Sequence, residues 1–385
     1  MQKKYNENHL KSYAAQSINS KGRFFNESES NIRSPYQRDR DRIIHSSSFR
    51  RLKHKTQVFV NTLGDHYRTR LTHSMEVSQI ARTLARFLGL NEDLSETLSL
   101  SHDLGHAPFG HAGEEVLKKC MDKFGGFDHN TQTLRIVTLL ENKYYNFYGL
   151  NLTIETLDGL IKHNGPLKDA ILNKNIIRKD LFNNKINFNN YPSLEAQIAA
   201  ISDDIAYNNH DLEDGLRAGL FTIKELSSIS PISKIINKHI KNLKRFRKEI
   251  IINQIVRDLI NLMVNDVINT SIKNIKKSKP QSIKDIYKEN YMMIDFSDKM
   301  KATDRQIKFF LKQKMYNHKK VIVNTNKGKL IVRDLFNHLS KNYKKFINDD
   351  ILKKEKKERA VADFIAGMTD RYAINLHAKI KWTFF

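Results

Sequence analysis

Ser101-His102-Asp103-Leu104-Gly105-His106-Ala107-Pro108-Phe109-Gly110-His111 sets a His-Asp doublet and two further histidines on an apolar-flanked run that ends in a Gly/Pro turn. Polar atoms of such a doublet cost about 2–7 kcal/mol if buried without a partner. A shared metal ion satisfies both residues, and so does a hydrogen-bonded core pair; taken alone, the doublet leaves both readings open. His111 and Glu114 lie three apart, which places them on one helix face where they can pair. Glu114 alone would equally suit a helix N-terminus through the macrodipole. Asp203, Tyr207 and Asp211 are successive four-residue steps. If one helix carries all three, a carboxylate, a phenol and a second carboxylate line a single face.

These residues need helices to position them. His73 stands at the head of a segment whose Val77, Ile80, Ala81, Leu84, Ala85 and Leu88 recur at helical spacing. Gly89 and Asn91 punctuate the chain, and Leu94, Leu98 and Leu104 carry a second helix with His102 and Asp103 near its C-terminal end. Two helices thus present His73 and His102/Asp103 for convergence. The turn from Gly105 to Gly110 re-aims the chain into a third helix beginning near His111, with Val116, Leu117, Cys120, Met121 and Phe124 on one face. A fourth starts near His129, and a fifth lies around Ile154, Leu157 and Ile161. Ser193 is a plausible N-cap for a helix with Leu194, Ile198, Ile201 and Ile205 as its core stripe.

The flanking regions are less sharply written. Residues 1–30 read as a loosely held arm. Arg33, Arg38, Arg40 and Arg42 then form either a solvated basic face or a set of guanidinium forks aimed at a polyanion. Gln57-Val58-Phe59-Val60 precede a polar turn at Gly64-Asp65-His66, and residues 165–192 form an Asn/Lys-rich irregular connection. Beyond residue 221, amphipathic helices are expected over 222–275, with Ile251, Ile255, Leu259, Leu262 and Met263 as one stripe. Lys276 to Lys288 read as a basic connection broken by Pro280. Helices are expected at 304–316 and 329–341, while Val321-Ile322-Val323 suits a short strand or a helical turn. One last helix over 356–381 contains Thr369-Asp370-Arg371-Tyr372-Ala373, more polar detail than a plain terminal helix needs.

At 385 residues the chain can bury a sizeable core, and the expected class is all-α with an additional C-terminal helical lobe. No strand followed by a Gly-rich phosphate loop occurs, which argues against dinucleotide folds and P-loop NTPases. Lys plus Arg at 66 against Asp plus Glu at 42 gives a net charge of +24, a field that gathers anionic ligands unless it reflects a general lysine bias. A single cysteine, Cys120, suits a reducing compartment, and no apolar run of membrane-spanning length occurs, so a soluble cytoplasmic protein with no membrane association is expected.

His73, the His102-Asp103 doublet and Asp203, in that order on helices, resemble the metal site of the HD superfamily of phosphohydrolases. Phe49-Arg50-Arg51-Leu52, Gln57-Val58-Phe59, Arg70-Leu71-Thr72-His73-Ser74, the 102–111 stretch, Asp203 to Asp211 and Thr369 to Ala373 are similar to the deoxyguanosine triphosphate triphosphohydrolase branch. The resemblance covers roughly 29–221 and 356–376. It implies an arm (1–30), an HD core (31–221) and a C-terminal helical region completing that core (222–385). It also implies a divalent ion on His73, His102, Asp103 and Asp203, and this mixed N/O set admits Mn²⁺, Mg²⁺, Fe²⁺ or Zn²⁺ without choosing among them. By resemblance, water attacks the α-phosphate of a deoxynucleoside triphosphate to release the nucleoside and triphosphate. His111 would be the acid/base group, Glu114 its orienter, and His129 a phosphate contact or proton donor. Arg70 and His106 match phosphate contacts, Gln57 and Asp211 match contacts to the sugar, and Tyr207 matches the ring that excludes a ribose 2′-hydroxyl. Asp204 stands where animal relatives carry a phosphate-contacting lysine. The resemblance further implies a homo-oligomer, and with the basic charge it leaves single-stranded DNA or a nucleotide effector open as partners. Two alternatives are another HD phosphohydrolase, acting on a 5′-monophosphate, a cyclic dinucleotide or an alarmone, and a basic nucleic-acid-binding nucleotide sensor retaining the scaffold. Gln57, Tyr207 and the C-terminal signature speak against the former, and the intact His/Glu sets against the latter.

Overall fold

The computed structural model describes residues 6–57, 68–167, 185–353 and 355–382. Val58-Phe59-Val60, the Gly64-Asp65-His66 turn and most of the Asn/Lys-rich connection lie outside the described residues. Among those described, the protein is all-α, its one β feature being an isolated bridge between Thr56 and Thr69. No described helix is long and apolar enough to cross a membrane.

The first half comprises α1 (Pro35–Ile44), α2 (Arg70–Leu88), α3 (Glu92–Ser101), α4 (Gly110–Cys120), α5 (His129–Arg135), α6 (Ile154–Ile161) and α7 (Leu194–Arg217). Helix α2 starts at a Thr69–Thr72 capping box and stops at Gly89, whose φ of 70° is the left-handed C-terminal geometry glycine permits. Its His73, Val77, Ile80, Ala81 and Leu84 are all buried on the inward stripe. Helix α3 packs against α1, α2 and α7, and tolerates burial although it is rich in serine. The hydroxyls of Ser95, Ser99 and Ser101 each donate to a carbonyl one turn earlier, at 3.0, 2.8 and 2.6 Å, so none is orphaned. It ends one residue before His102, which caps it. Helix α7 begins at the expected Ser193 cap and runs unbroken past Asp211 to Arg217, so Asp203, Tyr207 and Asp211 do share one helix.

The second half comprises α8 (Ser230–Ile240), α9 (Lys248–Ser278), α10 (Asp298–Leu311), α11 (Lys319–Lys341), α12 (Lys357–Ala366) and α13 (Asp370–Trp382). Helices α9 and α10 pack on α7, sharing one apolar cluster with α2, while α11 lies on α4 and joins it to α12 and α13 in another. The C-terminal region therefore closes the core rather than standing apart from it.

Several sequence expectations change, and the open reading of Val321-Ile322-Val323 is decided. The arm is not loose over its described part: the Ala15 N–H donates to Glu195 at 2.9 Å, the Lys21 N–H to Glu155 at 2.7 Å, and Arg23 pairs with Asp39. Buried carboxylates on α1, α6 and α7 hold a segment that carries few apolar residues of its own. The arginines after it are internal ties rather than a polyanion face. Arg40 reaches Asp93 at 2.8 Å, Arg42 forks onto Glu27 at 2.9 Å, and Arg33 pairs with Asp41 at 2.7 Å. Val321-Ile322-Val323 is helical, within α11, and Leu262 turns outward at 38% exposure while the rest of its stripe is buried. The expected last helix is two, broken between Ala366 and Asp370, where Asp370 is held by the backbone at Thr56 and Phe109.

Candidate active site

His73 in the first turn of α2, His102 just after α3 and Asp203 in the middle of α7 bring three ligand atoms within 4.8 Å of one another. His102 Nδ1 lies 2.6 Å from the Ser99 carbonyl and must donate to it, which leaves Nε2 to face Asp203. That buried Nε2 finds no hydrogen-bond partner among the described residues. It stands 3.5 Å from Asp203 Oδ1, and His73 Nε2 stands 2.9 Å from the same oxygen. Burial works against a charged imidazole at His102, yet Asp103 and Asp203 pull its pKa up to about 9. The carboxylates thus call for a cation at this point. The donor set fits a divalent ion, which would displace the proton and be held by His73, His102 and Asp203.

Asp103 stands at the edge of this trio. Its Oδ1 is 3.4 Å from His102 Nε2 and 3.1 Å from His106 Nε2, while Oδ2 accepts from Arg70 at 2.8 Å. Burial pushes the Asp103 carboxyl up, but the Arg70 guanidinium and the two histidines hold it well below the usual carboxylate range. Burial, Arg70 and His129 together keep the His106 imidazole neutral.

A second cluster lies beyond His106. The His106 and His129 rings stack with centroids 4.0 Å apart, and Glu114 Oε1 accepts from both the backbone N–H and Nδ1 of His129, at 2.9 and 2.8 Å. Glu114 also meets His111 Nδ1, but at 3.4 Å, with His111 64% exposed. The expected pairing of Glu114 with His111 is present, and the carboxylate also holds His129, more closely: Gly125 and Gly126, both at positive φ, fold the chain so that α5 begins against α4. Burial raises the Glu114 carboxyl, but its hydrogen bonds from His111 and His129 outweigh this and hold it far below the normal range.

The turn that carries these groups is clamped. The Gly105 N–H donates to Thr133 Oγ1 at 2.9 Å, and a β-carbon on Gly105 would lie 2.1 Å from the His129 carbonyl. Phe109 sits at φ 63°, and its N–H donates to Asp370 Oδ1 at 2.9 Å. The other oxygen of Asp370 accepts from the N–H and hydroxyl of Thr56, next to Gln57. The polar C-terminal signature therefore fastens both sides of the site.

On the remaining side, Asp211 accepts from the Tyr316 hydroxyl, and the Tyr207 and Tyr316 rings lie 6.5 Å apart. Arg70 acts electrostatically on Tyr207 and Asp211 as well as on Asp103 and His106. Asp204 is paired with Lys308 of α10 at 2.7 Å, so a lysine reaches this position from a different helix. Gln57 Oε1, Arg70 Nε, His106 Nδ1 and Asp211 Oδ1 are, like His102 Nε2, buried without a hydrogen-bond partner among the described residues.

Sequence reasoning missed His163, whose ring stacks on His102 at 5.4 Å and whose Nε2 is 3.6 Å from Asp203 Oδ2. Its signal was a histidine directly after an apolar helix and before Asn164-Gly165. It also missed Tyr316, for which nothing local marks a role, and the His210 and Glu76 pair behind His73.

A model of the HD domain matches residues 70–208, and one of the phosphohydrolase-associated domain matches residues 294–379. The chain is 60% identical over 361 residues to a deoxyguanosinetriphosphate triphosphohydrolase-like protein of Pelagibacter ubique, covering 94% of this chain and 97% of that relative. It is 48% identical over 383 residues to a protein of the same description from Bartonella quintana, covering 96% and 94%. A third relative so described, from Parvibaculum lavamentivorans, is 46% identical over 383 residues, covering 96% and 95%.

Proposed function

The chain belongs to the deoxyguanosinetriphosphate triphosphohydrolase-like family of HD-domain phosphohydrolases, and on that premise we propose that it hydrolyses deoxynucleoside triphosphates, with dGTP as the type substrate, to the deoxynucleoside and inorganic triphosphate. The observation that carries the reading is the set of buried, unpartnered polar atoms on Gln57, Arg70, His102, His106 and Asp211. Buried polar groups are almost always hydrogen-bonded, and these exceptions suit a ligand that brings a cation and hydroxyl donors to the acceptors on Gln57, His102 and His106, and an anionic oxygen to the Arg70 Nε–H.

His73, His102 and Asp203, with Asp103 beside them, would hold the divalent ion. When bound, that ion supplies positive charge to a phosphoryl oxygen and acidifies water. Arg70, fixed by Asp103, would face the phosphate and offer it charge, while neutral His106, its Nε2–H turned to Asp103 at 3.1 Å, keeps a bare Nδ1 as an acceptor. Water forms a bond to the α-phosphorus as the bond from phosphorus to the 5′ oxygen breaks. The proton lost by water leaves to a basic group, and the departing 5′ oxygen takes one. Glu114 fixes the His129 ring with Nδ1–H toward the carboxylate, so its Nε2 is available for that traffic, with His111 at the open side. Gln57 and Asp211 would read the sugar hydroxyl, and the Tyr207 ring would crowd the 2′ position.

The test is incubation with each deoxynucleoside triphosphate and its ribonucleotide counterpart in Mn²⁺ or Mg²⁺, with chromatographic detection of products. Deoxynucleoside and triphosphate are expected from the deoxy series alone. A nucleoside monophosphate with pyrophosphate, or equal cleavage of ribo and deoxy forms, would overturn the reading.

A further inference from the structure

His73 and Glu76 lie one turn apart on α2, and Asp203 and His210 lie two turns apart on α7, so the facing stripes of two packed helices bring the four together. His210 is 3% exposed, with Nε2 3.1 Å from Glu76 Oε2 and Nδ1 3.3 Å from His73 Nδ1. The two rings meet edge to face at 5.5 Å. Glu76 is in turn held by Arg68 at 3.0 Å, and Arg68 is anchored on Glu213 at 2.6 Å and Asp214 at 3.0 Å.

We propose that Glu76 and His210 form a positioning relay that fixes the tautomer of His73 and thereby presents its Nε2 lone pair to the metal. A bare Nε2 on His210 would oppose its lone pair to a carboxylate oxygen at 3.1 Å, so Nε2 carries the proton and donates to Glu76. His210 Nδ1 is then bare and accepts, which makes His73 Nδ1 the donor. With Nδ1 committed to His210, His73 Nε2 is the atom that meets Asp203 Oδ1, at 2.9 Å; without an ion that contact is a hydrogen bond, and an ion taking the place of its proton would meet the Nε2 lone pair. His102 reaches the same state through the Ser99 carbonyl. The two imidazoles are thus set by different devices: a backbone oxygen for one, a carboxylate acting through a third imidazole for the other. Glu76 and His210 touch neither ion nor substrate and act only through His73.

The inference rests on His73 being a ligand, and the experiment separates the two claims. Mn²⁺ is titrated calorimetrically into the metal-free full-length chain and into His210→Phe, Glu76→Ala and Glu76→Gln. The relay requires a Kd raised about 10–100-fold in His210→Phe, the range for such supporting groups. Glu76→Ala should show a smaller rise, and Glu76→Gln, which keeps an acceptor oxygen, should recover most of it. Glu76 is 41% exposed, so its variants report even if His210→Phe fails to fold. In the Zn²⁺-loaded chain labelled with ¹⁵N-histidine, His73 Nδ1 should show the shift of a protonated nitrogen. Failure of the unaltered chain to bind Mn²⁺ would overturn the metal reading and the relay with it. Normal binding by the unaltered chain, with the same Kd in His210→Phe and Glu76→Ala, would overturn the relay alone.

Discussion

Asp211 is a carboxyl that the fold keeps protonated near neutrality. Burial pushes it up to about 8, more strongly than the Tyr316 hydroxyl pulls it down. Against an unfolded value of about 3.9, the folded state binds the extra proton between those limits. The associated stability is complete below about pH 4 and is lost as pH rises through about 8. Asp211→Asn, which stays neutral, should therefore melt above the unaltered protein by a margin that widens from pH 5 to pH 8.5. A margin of about 2–4 °C corresponds to each kcal/mol recovered. Melting curves at the two pH values check this, and identical margins would refute a protonated Asp211. Removing a metal ligand is a different kind of change. His73→Ala, His102→Ala and Asp203→Ala should each lose bound metal and turnover while remaining folded, measured by metal content and circular dichroism. Glu114→Ala and His129→Ala should keep the metal and lose about 10²–10⁴-fold in kcat. Because Glu114 grips His129 at 2.8 Å, the double variant should be about as slow as His129→Ala; multiplied losses would mean separate roles. Most of these side chains were legible from type and spacing. The Glu114–His129 contact was not, since it joins residues 15 apart through two glycines whose turn no periodicity records.

Helices with strong apolar stripes, α2 and α7 above all, follow from their spacing and caps. Elements fixed by buried charge do not: the N-terminal segment looks loose because its anchors, Glu195, Glu155 and Asp39, lie far along the chain. The break between α12 and α13 was hidden for the same reason, since both halves are apolar enough to read as one helix. Two changes probe how these elements frame the site. Gly105→Ala forces a β-carbon against the backbone at His129 and Thr133, 2.1 and 2.4 Å away, neither of which can yield as a flexible side chain would. It should cost about 1–3 kcal/mol and move His129 away from His106, so thermal stability and kcat should fall together. Asp370→Ala leaves the N–H groups of Phe109 and Thr56 without an acceptor, at about 1–3 kcal/mol each if they stay buried. Its melting temperature should drop, and a variant as stable as the parent would mean the clamp is ornamental.

At the scale of the whole molecule, the chain that carries the proposed triphosphate site has a net charge of +24. Capture of a triphosphate should be steered, so kcat/KM should fall as ionic strength rises from about 10 to 200 mM while kcat stays level. A salt-independent kcat/KM would place the charge away from the path of entry. The core is equally a property of the entire chain, since α2 and α7 bury their stripes with α9 and α10, and α4 with α11 to α13. A consequence follows for the newborn protein. Ribosomes deliver the chain N-terminus first, so Thr56 and Phe109 wait for Asp370, which is 314 and 261 residues further along. Until that residue emerges the Phe109 and Thr56 N–H groups lack the carboxylate that takes both in the finished fold. The order of synthesis thus sets when the clamp at Asp370 can close.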